Sequence, residues 1–219
     1  MLKESYFNSR NIHSTGKKMM RDLSKSYGKK RLSFCPEASA LLVIDMQDYF
    51  LKKGSHAFFP SATAIIPNIK KLINCYRRKR PIIFTQHINT EENAGMLKKW
   101  WDDIITTDDD YYKLSKKLYF PGAPVIVKTQ YDAFYKTNLK KLLLKEQVSQ
   151  VLITGVMTNL CCETTARSAF ILGFEVFFVV DGTATNSVKM HRATLLNLAY
   201  GFATPVLTQD IIKSFKQRY

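Results

Sequence analysis

No stretch of this sequence approaches the roughly 20 consecutive apolar residues that a membrane-spanning helix needs, and its start lacks the apolar centre of a signal peptide. A soluble, cytoplasmic protein with no membrane partner is the expectation. Cysteine is scarce: 4 residues, two of them adjacent, with no Cys-x-x-Cys pair and no zinc-ligand spacing. Neighbouring cysteines rarely bridge, and Cys35 and Cys75 have no evident spacing partner, so a disulfide framework is not expected and a reducing compartment fits. Acidic residues are also few, 18 against 33 Lys and Arg, which leaves a formal charge of +15. That charge comes without the stacking motif of an RNA-binding module, so nucleic acid is not an expected partner. Internal repeats and low-complexity segments are absent.

The basic excess is unevenly placed. Residues 1–34 carry nine Lys and Arg against Glu4 and Asp22, a local charge of +7, whereas the rest is mostly scattered lysine of a solvated surface. We expect a basic N-terminal extension over 1–34, with a helix over Lys17–Tyr27, followed by one domain over 35–219. With 46% hydrophobic residues and 14 Phe, about 185 residues bury a single substantial core. The basic, Ser-containing start has features of an organellar transit peptide, while its acidic residues and helix make a docking arm as good a reading.

From Ala40 onward, short apolar runs alternate with amphipathic segments. Leu41–Ile44, Pro81–Thr85, Val125–Val127, Val151–Thr154, Val176–Val180 and Thr204–Leu207 read as strands that are apolar on both faces, as in a parallel sheet covered by helices on either side. Ile65–Arg78, Asn138–Leu144, Asn159–Leu172, Val188–Tyr200 and Gln209–Gln217 have helical spacing, with Gly173 and Gly201 where helices end. The fold class expected is α/β: three layers, α/β/α, around a central, mostly parallel, doubly wound sheet of about six strands. The connections Gln47–Pro60 and Gln86–Pro124 are too long for simple connectors, and long loops in such folds build sites.

Ligands of open parallel sheets bind beyond the carboxyl ends of the strands. Strand one ends in Asp45-Met-Gln47, strand two in Gln86-His87 and strand three in Lys128; strand four passes through Gly155 toward Cys161. With Thr158 as N-cap, Cys161 falls in the first turn of a helix, where the helix dipole favours thiolate and lowers a pKa of about 8.5. Read alone, Cys161 and Cys162 are equally accounted for as small core residues. Together with Asp45 and Lys128, Cys161 makes a coherent device. Asp45 accepts the thiol proton and later helps activate water, while Lys128 keeps Asp45 ionised and favours thiolate. Backbone amides of Met157 and Cys161 are placed to donate to an oxyanion. Phe50, Trp101, Tyr131 and Phe134 are candidate walls for a small planar substrate, although each is also a plausible core residue. Gln47 and Gln86 are candidate polar contacts, because a buried amide at a strand end needs a partner.

The chain resembles the isochorismatase-like cysteine hydrolases, which include nicotinamidases, N-carbamoylsarcosine amidohydrolase-like enzymes and isochorismatases. The resemblance is carried by Ala40-Leu-Leu-Val-Ile-Asp-Met-Gln47 with Phe50, Ile83-Phe-Thr-Gln86, Val127-Lys-Thr-Gln-Tyr-Asp-Ala-Phe134 and Thr154-Gly-Val-Met-Thr-Asn-Leu-Cys-Cys-Glu-Thr-Thr-Ala-Arg167. Asp181-Gly-Thr-Ala-Thr185 and the tail from His191 to Thr208 also match. It implies that Asp45, Lys128 and Cys161 are a triad, with Cys161 rather than Cys162 the nucleophile, and that the Val156–Met157 peptide is cis. Cys162 reads as a packed thiol, about 100° around the helix from its neighbour. The departures also inform. Nicotinamidase-like relatives hold a metal with an aspartate and two histidines, but the long loops here offer only His56 and His87, so no metal and no cofactor are expected. Isochorismatases proper use an arginine for substrate carboxylates, which Asn89–Trp101 lacks, and several have no cysteine because vinyl ether hydrolysis needs acid chemistry.

The expected function is a cysteine hydrolase acting on a small amide, ureido or related C–N substrate through a covalent acyl-cysteine intermediate. The alternatives are an isochorismatase-type vinyl ether hydrolase and a non-catalytic interaction protein that uses its basic arm. A small-molecule substrate and a homo-oligomer, dimer or tetramer, are the expected partners.

Overall fold

The computed structural model describes residues 3–26, 32–101 and 103–218. Six strands form one sheet: β1 (Ser39–Ile44), β2 (Ile82–His87), β3 (Val125–Lys128), β4 (Gln150–Val156), β5 (Glu175–Ala184) and β6 (Thr204–Val206). Their spatial order is β3-β2-β1-β4-β5-β6, with every neighbouring pair parallel. Leu41 to Ile44 are all fully buried, as the two-sided apolar pattern requires of a central strand under helices on both faces. The helices are α1 (Ile12–Ser26), α2 (Asp48–Leu51), α3 (Pro60–Ala64), α4 (Ile66–Tyr76), α5 (Met96–Trp101), α6 (Leu139–Lys145), α7 (Glu163–Ile171), α8 (Val188–Gly201) and α9 (Thr208–Arg218). This is a three-layer α/β/α fold. None of its helices is long and apolar enough to cross a membrane, among the described residues.

Three local departures from the sequence pattern bear on the site. β5 runs four residues past Val180, because a register shift lets Thr183 and Ala184 pair with Gly155 and Val156 of β4. Asn159–Leu172 is not one α-helix: Thr158–Cys162 forms a π-helical turn that leads into α7. Thr158 is not its N-cap, which is Met157 with no side-chain cap bond; the Thr158 hydroxyl lies 2.9 Å from His191 Nδ1 of α8.

The N-terminal segment does not project. α1 starts at Ile12, five residues before the expected Lys17, behind a turn in which Asn8 Oδ1 accepts from the N–H groups of Arg10 and Asn11. Tyr27, the expected helix end, lies outside the described residues. Phe7, Met19 and Leu23 are buried in the same core as the sheet, so the segment folds back on its own domain.

Candidate active site

β1 has β2 on one side and β4 on the other, so chain direction through the sheet reverses there and a crevice opens beyond the carboxyl ends of β1 and β4. Gly155 makes the crevice possible. Its φ is +111°, and a Cβ there would stand 2.0 Å from the carbonyl oxygen of Ile44, so only glycine lets β4 lie against the end of β1. Asp45 follows Ile44 with φ +47°, an uncommon conformation for a residue with a side chain. Thr85 of β2 holds it from both ends: its hydroxyl accepts from the Asp45 N–H (3.0 Å) and donates to Oδ1 (2.6 Å).

Lys128, the last residue of β3, reaches this carboxylate with Nζ 2.7 Å from Asp45 Oδ2. The same ammonium donates to Cys161 Sγ at 3.3 Å and to the carbonyl of Gln130 at 2.9 Å. Asp45 is fully buried, Lys128 1% exposed and Cys161 6% exposed. Ions so placed persist only in mutual contact. Burial alone would raise the Asp45 pKa, but the Lys128 charge, with hydrogen bonds from Cys161 and Lys128, holds it below the ordinary carboxylate value. Burial likewise works against the Lys128 charge, and Asp45 and Cys161 outweigh it, so its pKa stands above that of a free lysine.

The thiol departs from expectation. Burial pushes its pKa above that of a free cysteine; Lys128 pulls it down, and the Asp45 charge pushes it up again. Burial thus favours the thiol form of this sulfur, which lies beside the Asp45–Lys128 pair. Cys162 is fully buried, with burial raising its pKa as well, and its sulfur lies 4.0 Å from the carbonyl of Thr154.

His87 also belongs to the site, although the sequence marked it only as a possible metal ligand. Its Nδ1 lies 3.3 Å from Lys128 Nζ, and its Nε2 lies 2.7 Å from Asn89 Oδ1. The Asn89 amide nitrogen donates to Asn93 Oδ1 and to the carbonyl of Thr129, which leaves Asn89 Oδ1 as an acceptor. That network assigns the imidazole proton to Nε2 and turns the Nδ1 lone pair toward the ammonium. Burial, and then Lys128, push the His87 pKa down to about 4.

These residues do not fit a metal. Among the described residues, the one group of His, Cys, Asp and Glu able to share an ion is Asp45, His87 and Cys161, whose ligand atoms lie within 4.8 Å of one another. The Lys128 ammonium already stands within 3.3 Å of all three, in the place an ion would take. His56 is engaged elsewhere: Asp103 Oδ2 accepts from the Tyr49 hydroxyl (2.7 Å) and lies 3.0 Å from His56 Nε2.

Cys161 opens onto a cavity of about 270 Å³. Phe50, Trp101 and Tyr131 are among its lining residues, with Trp101 Nε1 donating to the Tyr131 hydroxyl at 2.6 Å. Met157 and Leu160 add apolar wall beside the sulfur, and the Val156–Met157 peptide is cis. The other expected contacts lie elsewhere. Phe134 stacks on Phe174, centroids 6.0 Å apart, and is not part of the cavity wall. Gln47 is fully buried, and its amide donates to the carbonyls of His87 and Tyr112 and accepts from the His87 N–H; Gln86 likewise donates to Tyr112. Both glutamines tie the long second loop to the strand ends instead of facing the cavity. The sequence reading missed Thr85, Tyr49, Asp103 and Lys3, all at the site or its rim. Thr85 and His87 did leave a signal: two polar residues two apart, hence on one face, at the carboxyl end of an apolar strand.

A buried Asp–Lys–Cys group thus lies at the switch point of a doubly wound sheet and opens on a small cavity. Residues 39–210 match the Isochorismatase domain, and the chain belongs to the isochorismatase family. It is 40% identical to nicotinamidase 3 of Arabidopsis thaliana over 192 residues, 84% of this chain and 92% of that one. To the isochorismatase of Bacillus subtilis strain 168 it is 30% identical over 181 residues, 81% of this chain and 58% of that one. The solved cysteine hydrolase from Pseudomonas syringae pv. phaseolicola 1448A shares the fold, with a TM-score of 0.81 at 24% identity over 86% of this chain and 97% of that one. The protein is an isochorismatase-family hydrolase.

Proposed function

We propose that the protein hydrolyses the C–N bond of a small planar amide through an acyl-cysteine intermediate. The observation that carries this reading is the contact of Cys161 Sγ, at the cavity surface, with Lys128 Nζ, which is itself paired with Asp45. Asp45 takes the thiol proton as Sγ bonds to the amide carbon, and the backbone N–H groups of Met157 and Cys161 receive the oxyanion. The C–N bond then breaks as that proton passes to nitrogen, which leaves as ammonia or an amine. Water gives a proton to Asp45 and attacks the thioester, the acid departs, and Sγ recovers the proton. Lys128 keeps Asp45 ionised at the start of each half and faces the sulfur as it gains charge.

The aromatic walls and the small volume favour a flat aromatic carboxamide. The likeness to a nicotinamidase makes nicotinamide the first compound to test. The experiment is ammonia release from a panel of nicotinamide, benzamide and N-carbamoyl amino acids, using the protein and its Cys161→Ala variant. Release by the first and not the second supports the reading; release by neither, across the panel, overturns it. Hydrolysis of an isochorismate-type vinyl ether that persists in Cys161→Ala would establish acid chemistry by Asp45 instead.

A further inference from the structure

The N-terminal segment, which precedes the family match at 39–210, supplies part of the cavity wall through Lys3. It is fixed there by its own chain. The Glu4 N–H donates to the carbonyl of Asn186 (2.8 Å), and the Glu4 carbonyl accepts from the Ser61 hydroxyl (2.9 Å). Glu4 Oε2 accepts from the Val188 N–H at 2.8 Å, the position at which a carboxylate complements the start of α8. The Tyr6 hydroxyl accepts from the Thr185 N–H at 3.0 Å, and Phe7 is fully buried. Lys3 is thus held at the rim of the cavity by a rigid anchor.

Among the described residues that line the cavity, the other charges are matched. Lys128 is paired with Asp45, and Asp103 is engaged by Tyr49 and His56. Lys3 Nζ donates to the main-chain carbonyl of His56, a neutral acceptor, and no carboxylate lies within 4.0 Å of it among the described residues. Its remaining N–H groups meet no carboxylate among the described residues, at a small aromatic-walled cavity that Cys161 also lines.

We propose that Lys3 determines substrate specificity by binding a carboxylate carried by the substrate away from the amide that Cys161 attacks. The inference rests on the cavity being the substrate site, and within that reading it adds a preference for amides that bear a second, anionic group. A loose ammonium at an open rim gives a modest, salt-sensitive preference, and an anchored one keeps more of it because less ordering is needed on binding.

The test is calorimetric binding at low salt in a Cys161→Ala background, where no turnover interferes. The two probes are 4-carbamoylbenzoate and terephthalamide, which have the same shape and differ in one carboxylate. The background should bind the anionic probe more tightly than the neutral one. Adding Lys3→Ala should lower that preference about fivefold, and Lys3→Arg should retain it. An unchanged preference in Lys3→Ala, or none in the background, overturns the proposal. The result is independent of amide hydrolysis: if the intact protein releases no ammonia from any amide, the proposed reaction fails while the binding comparison still decides the role of Lys3.

Discussion

Lys128 Nζ stands 2.7 Å from Asp45 Oδ2, with both side chains closed off from solvent. The pair ties the last residue of β3 to the residue after β1, across β2, and it fixes the carboxylate beside the sulfur. Removing one partner of a buried pair leaves an uncompensated ion, which typically costs about 3–5 kcal/mol, while removing both is much milder. Lys128→Met should therefore destabilise the fold by several kcal/mol on that scale in chemical denaturation. Lys128→Met with Asp45→Asn should recover much of that loss without recovering activity. A double variant no more stable than the single one would mean that the pair is not coupled.

The adjacent cysteines should separate cleanly. Cys161→Ala should lower amide turnover by at least about 10³-fold. Cys162→Ala should keep most of the turnover and lose on the order of 1 kcal/mol of stability, since it truncates a small packed side chain. Loss of turnover in Cys162→Ala with the fold intact would reassign the nucleophile.

Acid should destabilise the protein through its buried histidines. Burial, followed by the Lys128 charge, lowers the His87 pKa from 6.5 to about 4, and burial lowers that of His191 to about 3. In the window between those values and 6.5 the unfolded chain binds more protons than the folded one, so stability falls as pH falls. Each group contributes up to about 1.4 kcal/mol per pH unit inside its window. Denaturation midpoints between pH 7 and pH 5 should show that loss, with a shallower slope in His191→Gln. Equal slopes would remove His191 from the acid response.

Gly155→Ala should be among the most damaging single changes. The added methyl would meet the Ile44 carbonyl oxygen at 2.0 Å in a backbone conformation that disfavours a side chain, displacing β4 or the start of the Asp45 turn. A low yield of folded protein, with lost turnover in whatever folds, is the expected result. Near-normal thermal stability would show that the strand junction gives way easily.

The strands were readable because a parallel sheet leaves apolar residues on both faces, and Asp45, Lys128 and Cys161 followed from where each strand or its turn ends. Features set by distant segments were not readable. The Gln47 amide is satisfied by Tyr112, 65 residues along the chain, and Lys3 meets the carbonyl of His56 53 residues away. No local pattern records such meetings. The thiol illustrates a different gap. Its place in a helical turn was visible, but its protonation depends on how deeply the surrounding side chains bury it, and burial outweighs the nearby ammonium. The N-terminal segment read as a basic arm because its charge is conspicuous, whereas its buried Phe7, Met19 and Leu23 decide where it goes.

Covalent attack by Cys161, with Asp45 as the base, is tested most directly by mass spectrometry of acid-quenched protein during turnover of the best amide from the panel. The mechanism predicts an acyl adduct on the peptide that carries Cys161, absent from Cys161→Ala and strongly reduced in Asp45→Asn. Undiminished ammonia release by Cys161→Ala, with no adduct on the sulfur of the intact protein, would contradict it.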